Sequence, residues 1–217
     1  MNKLNSISKS SNSSDMDLYD DGSRKKQSKK VNGVIDEIIY NEIDYGLNIK
    51  DSVVYLHGDI TLGNLFDFVA KIRLILANRP EENEKDPITL LINSNGGDVY
   101  EALGIIDYIE SLSVPVNIIV RGRAMSAAAL ILCCGTGLRA ASKSSTIMVH
   151  EASAEIFGKS ADIKSNAEHI DELEEEVYKM MANKTKQDIE FWKKACRKDY
   201  FMTAQKALEL GLIDKII

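Results

Sequence analysis

From residue 34 onward, short runs rich in β-branched residues alternate with longer segments whose apolar residues recur at the helical period. That alternation restricts the chain to an α/β fold built on a mostly parallel, covered sheet. Residues 53–56 read as a strand closed by a turn at Gly58-Asp59. Residues 61–77 place Leu62, Leu65, Phe66, Val69, Ile72 and Leu76 at helical spacing, and Pro80 ends that helix. Residues 88–92 form a buried strand that runs into Asn93-Ser94-Asn95-Gly96-Gly97. Residues 98–111 form a helix with Val99, Leu103, Ile106 and Ile109 inward, and residues 116–120 are the next strand. Residues 126–134 are apolar all round and predict a short buried helix. Residues 147–149 form a strand ending at His150, and residues 161–182 a long amphipathic helix. Thr203 caps a last helix, Gly211 ends it, and residues 212–217 return as a strand.

The first 33 residues differ in kind. They contain eight Ser, seven Lys or Arg and four Asp, a charge of +3 in a chain whose net charge is −6. Few are apolar and none are periodic, so residues 1–33 are expected to be a disordered polar tail or propeptide. Residues 34–217 are expected to be one folded domain. The tail has no apolar core of a signal peptide, and its aspartates argue against a transit peptide. No run reaches the roughly 18 apolar residues that cross a bilayer, so no membrane partner is expected. A pI near 5.2 argues against nucleic acid. Three cysteines are too few for a disulfide framework, which favours a reducing, cytoplasmic setting. Cys133 and Cys134 fall in the apolar helix and read as packing. Cys196 is a candidate for oxidation sensitivity.

Chemistry in open α/β folds gathers where strands end. Gly96-Gly97 lead into one helix, and Ser126 opens the buried one. Amides at a helix start lack intrahelical partners, so the Ala127 amide, with that of Gly97, is a candidate oxyanion hole. A serine nucleophile needs a base, and histidine is the usual one. The chain has three: His57, His150 and His169. His169 lies among acids on the long helix and His57 beside Gly58, whereas His150 ends a central strand. Spacing alone leaves Ser126 as readily a helix cap as a nucleophile, and His150 as readily structural as catalytic.

Longer strings change that balance. Asn93-Ser94-Asn95-Gly96-Gly97, Gly122-Arg123-Ala124-Met125-Ser126-Ala127-Ala128 and Ser145-Thr146-Ile147-Met148-Val149-His150 occur in this order. They are followed by Gly158-Lys159-Ser160-Ala161-Asp162-Ile163, by Lys198-Asp199-Tyr200-Phe201-Met202-Thr203-Ala204 and by residues 207–214. Over about residues 46–217 the chain resembles the proteolytic subunit of the ATP-dependent Clp protease (ClpP), a serine peptidase of the crotonase-like superfamily. The resemblance implies Ser126 as nucleophile, His150 as general base and Asp199 as the residue that orients it. Gly97 and Ala127 would supply the oxyanion amides. It also implies a ClpP/crotonase-like fold of repeated strand-helix units, with a protruding strand-helix handle over about residues 151–182. Further implications are a homo-oligomer of stacked heptameric rings, unfolded polypeptide substrates, an AAA+ unfoldase partner, and no cofactor or metal.

Departures from the family pattern accompany the match. Asn95 replaces a proline, Glu151-Ala152 replaces Gln-Pro, Ala128 replaces a glycine, and one residue is missing between Ser126 and His150. Thr89, Leu91 and Ser111 depart from the apolar docking pattern for the ATPase. Those departures keep two other readings open: a catalytically weak ring scaffold or regulator, and a maturation protease working without a Clp ATPase. A signal-peptide peptidase would use a Ser–Lys pair, for which Lys143 is the nearest downstream lysine. A crotonase-type acyl-CoA enzyme would not require Ser126 with His150.

Overall fold

The computed structural model describes residues 42–217. The tail expected over residues 1–33, and residues 34–41 of the expected domain, lie outside the described residues. β1 (Leu47–Asn48) pairs antiparallel with β2 (Val53–Ile60), which leads through α1 (Asn64–Asn78) to β3 (Ile88–Gly97). Next come α2 (Val99–Ser111), β4 (Val116–Met125), α3 (Ala127–Cys133), β5 (Arg139–Ala141) and β6 (Thr146–Val149). The chain ends with α4 (Ser160–Lys184), α5 (Ile189–Cys196), β7 (Tyr200–Thr203), α6 (Ala204–Leu210) and β8 (Lys215–Ile216). The sheet order is β1-β2-β3-β4-β5-β8, parallel from β2 onward. The mixed α/β architecture matches the sequence expectation.

The sheet forks at β4. Its first half pairs with β5, from Ile118↔Arg139 to Val120↔Ala141, and its second half with β6, from Arg123↔Thr146 to Met125↔Met148. Between those halves the β3–β4 register slips, from Ile92↔Val120 to Ser94↔Ala124. Gly122 sits in this bulge at φ 99°, where a Cβ would lie 2.7 Å from Asn93 Oδ1. A bulge bends a strand and re-aims the residues beyond it. Here it turns the end of β4, and with it Ser126, toward β6.

One face of the sheet is sealed. Ile88, Leu90 and Ile92 of β3, and Val116, Ile118 and Val120 of β4, are fully buried. They pack with Ile72 and Ile75 of α1, Ile105, Ile106 and Ile109 of α2, and all of α3. The alternate residues, among them Thr89, Leu91 and Ile119, are only half-buried, so the expectation of a fully covered sheet holds for one face. The α1 reading needs correction too. Phe68, Ile72 and Ile75 form its inner face, whereas Leu62 and Phe66 are exposed. Apolar residues lie on both sides of this helix, so periodicity did not choose between them. Gly58 does not turn the chain; β2 continues through it with a register shift. β5, α5 and β7 lacked a strong sequence signal. Each is only three to eight residues long.

The long helix expected over residues 161–182 is α4. Its first half is exposed, and only Tyr178 and Met181 are fully buried. The segment 151–157 before it runs without a strand partner among the described residues.

Arg139 ties the carboxyl-terminal elements together. Its guanidinium donates to both Asp214 carboxylate oxygens (2.6 and 3.1 Å), to Lys184 O (2.8 Å) and to Cys133 O (3.2 Å). Burial alone would raise the Asp214 carboxyl, but the hydrogen bonds and charge of Arg139 outweigh it and hold the group below its usual range. Arg139→Ala is expected to destabilise the fold by about 2–3 kcal/mol, mainly because it strands two part-buried carbonyls, with a smaller share from the exposed Asp214 carboxylate. The depressed Asp214 group contributes stability above its unfolded value, and that contribution is lost as pH falls through the folded one. The gap in denaturant midpoint should therefore be widest at neutral pH and narrow, without closing, in acid, since the two carbonyl bonds do not titrate; a gap independent of pH would contradict this.

Candidate active site

Ser126 occupies the N-cap of α3, yet its side chain caps nothing. At the Asp and Thr caps the side chain accepts amides: Asp98 from Tyr100 and Glu101, Asp188 from Phe191, and Thr203 from Lys206. Ser126 instead adopts φ 53°, ψ −125°, a conformation that L-residues rarely hold. Backbone bonds over-determine it. Its N–H donates to Met148 O (2.8 Å), and its carbonyl accepts from Ala129 (2.9 Å) and Leu130 (3.2 Å). The hydroxyl is thereby freed and turned outward, 2.8 Å from His150 Nε2.

Strand register explains the rest of the arrangement. Met125↔Met148 is the last β4–β6 pair, so Ser126 and His150 both emerge at the same sheet edge. Antiparallel β7 pairs Val149↔Tyr200, which sets His150 across from Asp199. His150 Nδ1 is 3.8 Å from Asp199 Oδ1, longer than a hydrogen bond, and the aspartate side chain is 61% exposed. The contact is one of charge with imidazole rather than a closed bond.

Gly97 and Ala127 lie beside this pair. Asp98 N–H donates to Ile60 O (2.8 Å), locking the end of β3 against β2. A Cβ on Gly97 would fall 2.1 Å from Ile60 O. Gly96, not among the residues expected at the site, backs directly onto the serine. A Cβ there would lie 2.4 Å from Met125 O, 2.8 Å from Ser126 Cβ and 3.0 Å from Ala127 N. The signal was present in the double glycine, but which glycine faces which strand is a tertiary fact.

Ser126 and His150 open into a cleft of about 550 Å³. Its walls come from Gly97 and Tyr100, from segment 151–157, and from Ile170, Leu173 and Val177 of α4. Tyr100 and His169 bridge α2 to α4, with Oη and Nε2 2.8 Å apart and the rings stacked. His169 thus has a partner and is not simply solvated among acids. His57 is exposed on β2, opposite Asn93.

The cysteines are buried and unbridged. Burial, with the carboxylates of Glu174 and Glu151, pushes the Cys196 thiol up to about 12. Oxidation proceeds through the thiolate, so the expectation of an oxidation-sensitive Cys196 is corrected by its environment. Hydrogen bonding with Cys134 and burial push the Cys133 thiol well up, in keeping with packing.

The sequence matches the Clp protease family over residues 40–217, more than half of the chain. The chain belongs to the Clp protease family. Two similar proteins are each named "ATP-dependent Clp protease proteolytic subunit 2", from Synechococcus sp. (strain CC9605) and Parasynechococcus marenigrum (strain WH8102). Each is 32% identical over 174 residues, covering 80% of this chain and 86% of the relative. The fold expected from the motif strings is therefore that of a Clp protease subunit, and at the level of the family it is a serine peptidase. No helix among the described residues is long and apolar enough to cross a membrane.

Proposed function

We propose that this Clp protease family member is a self-compartmentalising serine endopeptidase acting on unfolded polypeptides. The observation that carries the reading is the 2.8 Å approach of Ser126 Oγ to His150 Nε2 from a serine that does not cap its own helix. In the reaction, His150 Nε2 accepts the Ser126 proton as Oγ attacks the scissile carbonyl. The charge that develops on the carbonyl oxygen is met by the amides of Gly97 and Ala127. His150 then gives its proton to the leaving amine, and water, activated by the same ring, hydrolyses the acyl-enzyme. Asp199 holds the imidazole with Nδ1–H toward itself. Its exposure makes its hold on the ring looser than that of a buried carboxylate. No cofactor or metal enters these steps. An extended substrate would lie in the cleft between Gly97 and segment 151–157, adding a strand.

The working form would be a homo-oligomer of stacked heptameric rings in the cytoplasm, with residues 1–33 as a tail and residues 34–217 as the protease domain. The exposed first half of α4 and the strandless segment 151–157 support a handle that finds its partner in another subunit. An AAA+ unfoldase is the expected feeder. At the docking face Thr89 and Leu91 are half-buried on β3, and Ser111 ends α2 with its hydroxyl bonded to Tyr108 O. These side chains favour a partner whose docking loop differs from the usual apolar one. A catalytically weak ring scaffold is the alternative, favoured by the 3.8 Å His150–Asp199 spacing.

Fluorophosphonate labelling of the native-size-separated protein, mapped by mass spectrometry, tests the reading. Label on Ser126 in a large oligomer is expected. An assembled ring that takes no label would point to the scaffold.

A further inference from the structure

The chain leaves β6 at Val149, so His150 is the first residue beyond the ladder. Its ring position then depends on the bonds that hold the backbone just after it. Among the described residues two hydrogen bonds do so. Glu151 N–H donates to Cys196 O (2.7 Å), and Ala152 N–H donates to the Glu174 carboxylate. The first joins the segment to the end of α5, three residues before Asp199. The second joins it to α4. Glu174 is half-buried and forms part of the cleft wall. Tyr178, one turn further along α4, lines the same cleft, and its hydroxyl is pushed up first by burial and then by the Glu174 charge.

We propose that Glu174 is a positioning residue for His150, an inference that rests on the function proposed above. Its carboxylate accepts the Ala152 amide in a charge-assisted bond, among the stronger kinds. Two residues of backbone pass that constraint to the imidazole and help keep Nε2 2.8 Å from Ser126 Oγ. Without the acceptor, the segment is left with only the Glu151 bond and pivots on it. The sequence is consistent with a matched pair. Alanine at position 152 carries an amide that needs an acceptor, and Glu174 supplies one. A proline there has no amide and a fixed φ, and needs none.

The pair gives a rescue test on the full-length assembled protein. Glu174→Ala is expected to lower kcat about 10- to 100-fold and to raise KM by a smaller factor, because a displacement near 1 Å disturbs the reacting geometry most, while segment 151–157 also borders the proposed substrate strand. The fluorophosphonate labelling rate of Ser126 should fall by the same factor. Glu174→Gln keeps an acceptor oxygen and should stay within a few-fold of the parent. Adding Ala152→Pro to Glu174→Ala removes the stranded donor and should recover most of the lost labelling rate. Oligomer size and melting temperature are read alongside. A folded Glu174→Ala protein that labels as fast as the parent overturns the inference while leaving the proposed function intact. Equal impairment of the Gln and Ala variants also overturns it, because charge and not the amide bond would then matter. If the Ala variant does not assemble, the double variant decides: slow labelling in a folded ring overturns the proposal, and recovered labelling supports it. A parent protein that neither labels nor hydrolyses peptide overturns both readings together.

Discussion

Ser126→Ala is expected to reduce peptide hydrolysis by roughly 10⁴- to 10⁶-fold while leaving the assembly intact, the scale seen when a serine nucleophile is removed. The separation of the two effects comes from the geometry. The Ser126 hydroxyl caps no amide, so its removal deprives the fold of no backbone partner. The residue is held by its N–H to Met148 O and its carbonyl to Ala129 and Leu130, all of which alanine retains. His150→Ala should fall nearly as far, because the hydroxyl then has no base 2.8 Å away. Asp199→Asn should lose less, because the existing contact is 3.8 Å and largely exposed. Turnover of an unstructured fluorogenic peptide, with native mass as the control, reads all three. A Ser126→Ala protein that keeps even a tenth of the parent rate would remove Ser126 from the mechanism.

Gly96→Ala is expected to lower activity about 100-fold or more and to cost about 2–4 kcal/mol of stability. Two effects add. The backbone at Gly96 has φ 92°, which an L-side chain rarely adopts. The new Cβ would also meet backbone on the far side, Met125 O at 2.4 Å and Ala127 N at 3.0 Å, with Ser126 Cβ at 2.8 Å. Rigid backbone cannot swing away as a flexible side chain can, so either β3 or the β4–α3 turn must shift. Both carry parts of the site. Thermal unfolding and the Ser126 labelling rate measure the two losses separately. A variant with parent-like values in both would mean that β3 and the serine turn are less tightly apposed than the distances indicate.

Much of the fold and site was legible in the amino-acid sequence. Alternating strand and helix signals identified an α/β sheet, and the burial of α3 was implied by seven successive residues without a polar group. The order of the motif strings marked Ser126, His150 and Asp199. Other features were not legible, for a common reason. The inner face of α1 was misjudged because Leu62 and Phe66 are apolar and exposed, and periodicity counts apolar residues without knowing which elements lie opposite. β5 and β7 are short, and they exist because neighbours offer them a ladder. Cys196 looked reactive by its place in the sequence, but burial beside two carboxylates suppresses its thiolate.

By itself the sequence determined the residue types available for chemistry and the places where strands and helices begin, because those depend on local periodicity, caps and breakers. It did not determine that a serine at a helix start would decline to cap that helix. Nor did it select Asp199 among 33 acidic residues on any ground but resemblance. The tertiary structure decided the first and set the approach of Asp199 to His150. The bulge at Gly122 turns the end of β4 toward β6, and the Val149↔Tyr200 register brings Asp199 across from His150. Register is a relation between distant segments, fixed only when the sealed face of the sheet is packed, and the chemistry of this edge depends on it.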